Sequence, residues 1–326
     1  MKKRDLLALE EWSPEEYDRL LSLVARVKRG EIAGGLSGKV LAQVFLQRDP
    51  RTQASVDIAM YVHGGHATAL DLSSGGAEQV IDLARSLAGW ADGVAVRSGP
   101  GPGAWRDARS DMLLRNVTAG CEKPVLNLGS ARRNPCQALA DSLTLQERLG
   151  HAEGKRFVLA WSWDPEALAT AVPASAALAA ARLGMEIVIA RPEGYELDPE
   201  DTGLIRKTAQ QHGGEFVHIS EDLDDALVGA DVVYVASWGS VKLYDKPEDE
   251  ARLRDQQRDW GLTRARHRGT RGGKGVVMHA GPVRRNVAIA DQVLDGADSA
   301  VLEQSQNLFH AHRALLLELL NPGVDG

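Results

Sequence analysis

The chain of 326 residues is poor in cysteine and aromatic residues and has no long apolar run. Its two cysteines, Cys121 and Cys136, form no CxxC pair, which argues against a disulfide framework or a cysteine-bound metal. The most apolar stretch, residues 167–181, is shorter than the ~20 residues that a membrane span needs. The sequence therefore predicts a reduced, cytoplasmic protein that needs no metal and does not enter membranes.

Basic residues are also scarce relative to acidic ones, with 38 lysines and arginines against 45 aspartates and glutamates. The resulting net charge of -7 argues against a nucleic-acid partner or an anionic membrane surface, although it leaves open a local basic pocket for a small anion. Acidic residues follow the first basic ones too soon for the apolar core of a signal peptide. The composition thus favours a cytoplasmic protein whose partners are small molecules.

Strand and helix patterns alternate over almost the whole length. Ser13-Pro14-Glu15-Glu16 is a capping box with proline at the first helical position, and it predicts a helix start. Short apolar runs between helical segments are typical of parallel sheets covered on both faces, and a restart near residue 150 favours two domains. The pattern predicts strands at 40–46, 67–72, 93–96, 124–128, 157–161, 186–190, 216–219, 232–235 and 276–278, and long helices at 50–62, 135–149 and 304–320.

Parallel sheets bind ligands at the carboxyl ends of their strands, so polar residues just after an apolar run are the first candidates for a site. One such segment, residues 47–53, leads into a helix whose free N–H groups could bind an anion. Arg51 and Thr52 would add a positive charge and a hydroxyl donor there. Asp49 and Pro50 equally describe a structural N-cap followed by proline. A carboxylate at this cap would repel a bound phosphate, so both interpretations stay open.

Other strand ends carry polar residues that each have a structural alternative. Arg97 closes a buried strand, where an arginine is either an anion ligand or a surface residue. The glycine–proline run at 99–103 lacks the GxGxxG fingerprint, and its prolines remove N–H donors, which predicts a turn-rich loop. Asn134 and Pro135 make a helix start that needs no ligand. His279 follows the last strand and is either an acid–base group or an ordinary loop histidine.

Two tryptophans, Trp163 and Trp238, lie near strand ends in the second half of the chain. Tryptophan at such a position either fills the core or presents a ligand platform. No serine–histidine–acid set and no metal-ligand spacing stands out in the sequence. The residues alone therefore leave the function open.

Taken together, these segments resemble, in order and spacing, the aspartate/ornithine carbamoyltransferase family, and the resemblance covers nearly the whole chain. The sequence is most similar to the N-acetylornithine and N-succinylornithine branch of that family. The family motifs are matched by residues 45–57, 64–67, 94–97, 134–141, 231–234, 279–286 and 303–314. The match to the branch lies at residues 157–175, 237–239 and 282–286.

The resemblance implies two doubly wound parallel-sheet α/β domains: residues 1–149 for carbamoyl phosphate, residues 150–303 for an N-acylated ornithine-like amine, and a C-terminal helix, 304–326, that crosses back to the first. It further implies a homotrimer with sites at subunit interfaces, a place in arginine biosynthesis, and a reaction without a cofactor that depends on positioning and preorganised charge. The implied catalytic residues are Arg51, Thr52, Arg97, Gln137 and His279. The implied substrate-binding residues are Asp49, Gln53, Asn134, Trp163, Trp238, Pro282 and Arg284.

The sequence departs from the family where carbamoyl phosphate would bind. The family motif Ser-Thr(or Met)-Arg-Thr-Arg appears as Asp49-Pro50-Arg51-Thr52-Gln53, which replaces a donor by an anion and an arginine by a neutral amide. Asn134 replaces the histidine of His-Pro-Cys-Gln, and Leu308 replaces the arginine of a C-terminal Glu-Asn-Arg motif. His-Cys-Leu-Pro appears as residues 279–282, His-Ala-Gly-Pro, and a loop that normally reaches the neighbouring subunit is shortened to residues 73–76. Because a hydrogen bond to a charged group contributes roughly 1.5–3 kcal/mol, these losses predict transfer from carbamoyl phosphate many thousandfold slower than in the family.

Two functions therefore stay in competition. The first is an enzyme that transfers a carbamoyl or related acyl group to an N-acylated ornithine-like amine, with altered substrate or reduced activity. The second is a non-catalytic paralogue that uses the scaffold to bind a metabolite or a partner protein. An inward-pointing Asp49 paired with Arg51 or Arg97 would inhibit phosphate binding, whereas a cap that faces away would favour the enzyme. A nucleotide-dependent dehydrogenase is a more distant third alternative, because the glycine fingerprint is missing.

Overall fold

The computed structural model of the chain describes residues 4–73, 79–99 and 105–323. The chain divides into two compact units. Unit 1 is built from Met1–Pro102, Arg106–Leu143 and Gln306–Gly326, and unit 2 from Gly103–Trp105 and Thr144–Ser305. Most of the predicted loops at 73–76 and 99–103 lies outside the described residues. Within the described residues, no helix has the length and apolar character that crossing a bilayer requires.

Unit 1 contains a parallel sheet covered by helices. Its strands are β1 (Val40–Phe45), β2 (His66–Asp71), β3 (Gly93–Gly99) and β4 (Val125–Ser130). The first half of the chain also contains helices α1 (Pro14–Lys28), α2 (Pro50–Val62), α3 (Val80–Trp90), α4 (Trp105–Ala108), α5 (Met112–Gly120) and α6 (Pro135–Leu149). The strand order is β2-β1-β3-β4, with parallel pairing throughout.

The start of α1 shows how the local sequence sets an element. The Glu16 N–H donates to Ser13 Oγ at 3.2 Å, and the Ser13 N–H donates back to the Glu16 carboxylate at 2.9 Å. This is the predicted capping box, and it is confirmed. The apolar stripe of α1 is buried, and each fully buried leucine or valine contributes roughly 1.5–3 kcal/mol.

Unit 2 contains a larger parallel sheet. Its strands are β5 (Arg156–Trp161), β6 (Glu186–Ala190), β7 (Phe216–Ser220), β8 (Val232–Ala236) and β9 (Val276–Met278). The second half of the chain contains helices α7 (Ala171–Arg182), α8 (Pro199–Gln211), α9 (Leu223–Leu227), α10 (Pro247–Asp255), α11 (Arg264–Arg268), α12 (Asp291–Leu294) and α13 (Val301–Leu320). The strand order is β7-β6-β5-β8-β9, again parallel throughout. All nine predicted strands and the predicted parallel α/β fold are confirmed.

Most of the last helix, α13, belongs to unit 1. Within that unit the Glu318 carboxylate accepts two hydrogen bonds from Arg19 of α1, at 2.6 and 2.8 Å. Lys28, at the end of α1, donates to Asn307 at 2.8 Å. Glu318 is almost fully buried, and the Arg19 guanidinium compensates its charge.

Each sheet has one point where the strand order reverses, and such a point is where doubly wound sheets bind ligands. In unit 1 it lies between β1 and β3, where Phe45 pairs with Arg97. In unit 2 it lies between β5 and β8, where Trp161 pairs with Ala236. The segment after β1 and the last residues of β3 are therefore neighbours, and this topology brings Asp49 and Arg97 together.

Candidate functional site

Asp49 caps the amino end of α2. Its carboxylate accepts a hydrogen bond from the Thr52 backbone N–H at 3.1 Å and another from the Thr52 hydroxyl at 2.9 Å. Pro50 occupies the first helical position, where its missing N–H has no consequence. The predicted N-cap is thus confirmed, and it uses one of the backbone donors with which this helix end could bind an external anion.

Arg97, at the end of β3, points to the same carboxylate. Its Nη2 atom lies 3.4 Å from Asp49 Oδ2, and its Nη1 atom donates to the Leu128 carbonyl at 3.0 Å. The buried Nε atom has no hydrogen-bond partner among the described residues. Burial lowers the pKa of Arg97, and the Asp49 carboxylate opposes that shift. Asp49 therefore both caps the helix and compensates the charge of the arginine.

The backbone beneath the arginine belongs to the site as well. Gly129 has a φ of 136°, and a Cβ built there would overlap the Arg97 guanidinium. The same Cβ would lie 3.3 Å from Nδ2 of Asn134. Strand pairing between β3 and β4 shifts register next to Arg97. Arg97 and Asn134 thus come together over a glycine that leaves room for the guanidinium.

A buried histidine that sequence reasoning missed lies close to this group. His312 of α13 is fully buried, and its Nδ1 atom forms a hydrogen bond of 2.8 Å with the Ser55 hydroxyl of α2. Burial lowers the pKa of His312 to about 4; the Asp49 charge opposes the shift and the Arg97 charge adds to it. His312 is therefore neutral at physiological pH. In the sequence, the one feature that could have pointed to His312 is that a polar residue lies on the predicted last helix.

The other predicted residues of the 49–53 motif are placed differently. Thr52 is buried and bonded to Asp49, whereas the Arg51 side chain is exposed. Gln53 is half-buried, and its backbone N–H donates to the Asp49 carbonyl at 3.0 Å as part of the helix. The motif thus brings Asp49 and Thr52 to Arg97.

The amino end of α6 uses its polar groups internally. The Asn134 side-chain oxygen accepts from the Gln137 N–H at 3.1 Å, and the Gln137 amide donates to the Asp141 carboxylate at 2.7 Å. All three side chains are buried. Burial raises the pKa of the neighbouring Cys136 thiol to about 12, so this thiol is not a nucleophile. Asn134 acts as the structural cap that was one of its two interpretations, and it carries no charge.

His279 in unit 2 is held by its own loop. The Gly281 N–H donates to His279 Nδ1 at 2.7 Å, and the His279 backbone N–H donates to the Gln304 side-chain oxygen at 2.8 Å. Because Nδ1 accepts a hydrogen bond, the neutral ring carries its proton on Nε2. The half-buried ring is therefore held in one orientation by its own loop, with its proton on the Nε2 side. Pro282, the last residue of this four-residue motif, is exposed.

Arg284, predicted to bind substrate, is held by two carboxylates of unit 2. Its Nε atom donates to Asp164 at 2.8 Å, and its Nη2 atom donates to Glu166 at 3.2 Å. The arginine is about half exposed, whereas Asp164 is buried. Arg284 thus already has two anionic partners within unit 2.

The two predicted tryptophans occupy different environments. Trp163 is partly buried, carries the Arg258 guanidinium 4.6 Å from its ring centre, and lines a cavity of about 230 Å³ with Pro165. Trp238 is fully buried, and its indole N–H donates to the Tyr195 carbonyl at 2.9 Å. Trp238 is therefore a core residue with no surface for a ligand, whereas Trp163 remains accessible. Among the described residues, no group of three or more histidine, cysteine or acidic side chains is arranged to hold a metal ion.

Comparisons with known proteins give a consistent result. The family model described as aspartate/ornithine carbamoyltransferase, carbamoyl-P binding domain, matches residues 4–147, and the one described as Asp/Orn binding domain matches residues 156–319. The chain is 31% identical to an N-acetylornithine carbamoyltransferase of Xanthomonas campestris pv. campestris, covering 98% of each protein. It is 35% identical to an ornithine carbamoyltransferase of Methanosarcina mazei, covering 98% of this chain and 99% of that protein.

Solved structures are similar over the same length. N-acetyl-L-ornithine transcarbamylase complexed with acetylcitrulline has a TM-score of 0.91 at 31% identity, covering 97% of this chain and 99% of that one. A variant of N-acetyl-L-ornithine transcarbamylase complexed with carbamyl phosphate and N-succinyl-L-norvaline also has a TM-score of 0.91, at 32% identity and the same coverage.

Proposed function

We propose, since this chain belongs to the aspartate/ornithine carbamoyltransferase family, that it transfers a carbamoyl or related acyl group to an N-acylated, ornithine-like amine. Similarity to N-acetylornithine carbamoyltransferases over nearly the whole chain supports the choice of branch. The observation that carries the proposal is the convergence of Arg97, Thr52 and the amino end of α2 on one carboxylate group. This set of donors binds anions, and here it already contains the anion of Asp49.

In the proposed reaction the amine attacks the carbonyl carbon of the donor. A carbon–nitrogen bond forms, the bond between the carbonyl carbon and the leaving-group oxygen breaks, and the amine releases a proton to the leaving group or solvent. Arg97 and Thr52 would stabilise the charge that develops on the leaving group. The family resemblance assigns His279 to the carbonyl oxygen, where a hydrogen-bond donor would stabilise the negative charge that builds there. Gln137 would orient the donor only after exchanging its hydrogen bond to Asp141.

Asp49 makes a phosphate leaving group costly. Two unit charges about 4 Å apart repel by about 4 kcal/mol at an effective dielectric constant of about 20. That energy corresponds to roughly a thousandfold loss of affinity for each phosphate charge held at this distance. We therefore expect either weak binding of carbamoyl phosphate or an acyl donor whose leaving group carries less negative charge.

The second candidate, a non-catalytic paralogue, is favoured by the internal use of the site's polar groups. Arg97 and Thr52 are bonded to Asp49, Gln137 is bonded to Asp141, and Asn134 serves as a helix cap. A scaffold that binds a metabolite or a partner protein would need none of these groups to act on a donor. Product formation separates this candidate from the enzyme.

We also propose that three copies of the chain form a homotrimer. The outer face of α2 exposes Ile58, Tyr61 and Val62, whose exposed fractions are 52%, 80% and 45%. Neighbouring apolar side chains of this size at the surface are typical of an interface between subunits. Sedimentation velocity should give a trimer for the wild type and a smaller species for Tyr61→Asp. A monomeric wild type would contradict this part of the proposal.

The decisive binding experiment is calorimetric titration with carbamoyl phosphate. Asp49→Ser keeps an N-cap but removes the resident charge, so we expect about 100-fold tighter binding than in the wild type, less than the full repulsion because the leaving group can shift. Asp222→Ser, which makes the same change at the N-cap of α9, serves as the matched control and should leave the affinity unchanged. Equal affinity in Asp49→Ser and wild type would show that Asp49 is not the obstacle.

The decisive activity experiment measures the ureido product from carbamoyl phosphate and N-acetylornithine. The wild type should give slow turnover, and Asp49→Ser combined with Gln53→Arg should accelerate it by at least about 100-fold, because both motif positions then carry the family's donors. An absence of product in the wild type and in this variant, with either N-acetylornithine or other N-acylated amines, would favour the non-catalytic paralogue.

A further inference from the structure

The segment 282–286 carries two adjacent arginines that could bind the carboxylate of an amino acid. Both already have partners within unit 2. Arg284 pairs with Asp164 and Glu166, and Arg285 pairs with Asp291 and Asp295. Two positive charges thus face four negative ones, and the immediate surroundings of the segment are net acidic.

Asp164 is fixed in its position opposite Arg284. One of its carboxylate oxygens accepts from the Glu166 N–H at 2.9 Å, and the other accepts from Arg284 Nε at 2.8 Å. Its carbonyl accepts from the buried Arg254 at 3.3 Å, and its side chain is only 11% exposed. Asp164 therefore cannot turn away from Arg284 without leaving other hydrogen bonds unmade.

Glu166 adds a second negative charge at the outer side of Arg284. Its Oε1 atom lies 3.2 Å from Arg284 Nη2, and the side chain is largely exposed. A substrate carboxylate that approached Arg284 would meet the negative charges of both Glu166 and Asp164. A positively charged amine without a carboxylate meets the opposite situation, since the two acidic groups attract it.

Arg285, the second arginine of the segment, is paired with acidic side chains as well. Arg285 donates to Asp291 at 2.9 Å and to Asp295 at 2.8 and 2.7 Å, and these carboxylates raise its pKa. The neighbouring Asn286 amide is bonded to Asp291 on both sides, through its nitrogen and through its oxygen. Both residues that follow Arg284 are therefore already bonded to acidic residues of unit 2.

We propose that Asp164 and Glu166 are specificity-determining residues that exclude a carboxylate from Arg284, so that the acceptor is a cationic N-acylated diamine lacking the carboxylate of ornithine. The inference rests on the proposed transfer to an N-acylated amine and names the class of that amine. N-acetylornithine and its decarboxylated counterpart, N-acetyl-1,4-diaminobutane, are the matched pair, because they share the acyl group and the primary amine.

The first arm of the test is calorimetric titration of the wild-type chain with each amine, without any acyl donor. We expect N-acetyl-1,4-diaminobutane to bind at least tenfold more tightly than N-acetylornithine. The second arm is the double variant Asp164→Asn with Glu166→Gln, which frees the charge of Arg284. The amide oxygen introduced at position 164 can still accept the backbone N–H of position 166. This variant should bind N-acetylornithine at least tenfold more tightly than the wild type does.

The matched control removes two acidic charges elsewhere in unit 2. Glu248→Gln with Asp249→Asn lies on α10, where Asp249 pairs with the exposed Arg252. The control should leave the ratio of the two affinities unchanged. Glu166→Gln alone, at an exposed position, keeps the test available if the Asp164 change impairs folding, and it should shift the ratio in the same direction.

Equal or tighter binding of N-acetylornithine by the wild type overturns the inference, and so does a failure of both amines to bind. A ratio that moves equally in the control variant also overturns it, because the effect would then be one of general charge. The proposed function fails separately, by the absence of product from any amine, since the titrations contain no donor and do not depend on transfer.

Discussion

Arg97 and Arg284 were both predicted to contact substrate, and each is paired with acidic side chains of its own unit. They differ in solvent exposure. The Arg97 side chain is 20% exposed and Asp49 is 25% exposed, whereas Arg284 is 45% exposed and Glu166 is 71% exposed. Water therefore screens the Arg284–Glu166 pair more than the Arg97–Asp49 pair.

This difference separates two ways of neutralising a binding arginine. Around Arg97 the carboxylate also caps a helix, so the pair is part of the packing of unit 1. Around Arg284 the outer carboxylate, Glu166, can move into solvent. The Arg284–Glu166 pair therefore contributes little to the stability of the fold, although it affects which ligands bind by their charge. Substitution of Asp49 should therefore lower the free energy of unfolding strongly and substitution of Glu166 only weakly, whereas both substitutions should change ligand preference.

The largest effect is expected for Asp49→Ala. This change removes the helix cap, worth about 1 kcal/mol, and leaves a largely buried guanidinium without its partner, for a total of about 3 kcal/mol. Urea unfolding of the variant and the wild type measures the difference in the free energy of unfolding. Asp49→Asn, which keeps the cap, should lie between the two. A loss below about 1 kcal/mol in Asp49→Ala would mean that water compensates Arg97.

A pH effect of nearly the same size is expected from His312. Its pKa is about 4 in the folded chain, against 6.5 without burial, so the unfolded state binds the proton first as the pH falls. Stability contributed by the neutral ring is therefore fully present above pH 6.5 and is lost between pH 6.5 and pH 4, by about 3 kcal/mol in total.

Urea unfolding at several pH values between 4 and 7 measures this loss. In His312→Gln the acid-dependent slope should shrink, because no group with a lowered histidine pKa remains at that position. An unchanged slope would assign the pH dependence to another group. Arg284 and its two carboxylate partners include no histidine, so a pH dependence of this kind is expected around Arg97 and not around Arg284.

A smaller effect is expected for Asp164→Asn. The substitution removes one charge from the Arg284 pair but keeps an oxygen for the Glu166 N–H, so about 1 kcal/mol should be lost. Thermal unfolding against the wild type measures it. A loss as large as that of Asp49→Ala would remove the proposed difference between the two arginines.

The smallest effect is expected for Glu166→Gln, below about 0.5 kcal/mol, because the pair lies at the surface. In 1 M sodium chloride, where the screening length is about 3 Å, this difference should vanish. The Asp49→Ala difference should persist in the same salt. Persistence of the Glu166→Gln difference at high salt would indicate a packing role for the side chain.

The sequence was sufficient for the fold because the determinants of the fold are local or periodic. The strand from Glu186 to Ala190 and the helices from Pro50 to Val62 and from Pro135 to Leu149 match the predicted bounds. The family resemblance added the expectation of two doubly wound domains. At Asp49 the predicted helix cap is confirmed, whereas binding of an external anion beside Arg97 stays a prediction.

The site was less predictable because its partners are far apart along the chain. His312 meets Ser55 across 257 positions, and Arg284 meets Asp164 across 120. No spacing rule links such residues, and a charge that is free in the sequence can be compensated in the fold. Trp238 shows the converse, since a strand-end position that suggests a platform is filled by a side chain of the core.

Gly129 restricts the order in which this pocket could be redesigned. Any side chain there would collide with the guanidinium of Arg97, so Gly129 can be exchanged only if Arg97 moves or is exchanged with it. A change at position 49 causes no such collision, although it alters the helix cap and the ion pair with Arg97. A directed-evolution library for new acyl donors should therefore randomise position 49 first and keep Arg97 and Gly129 unchanged while different leaving groups are tested.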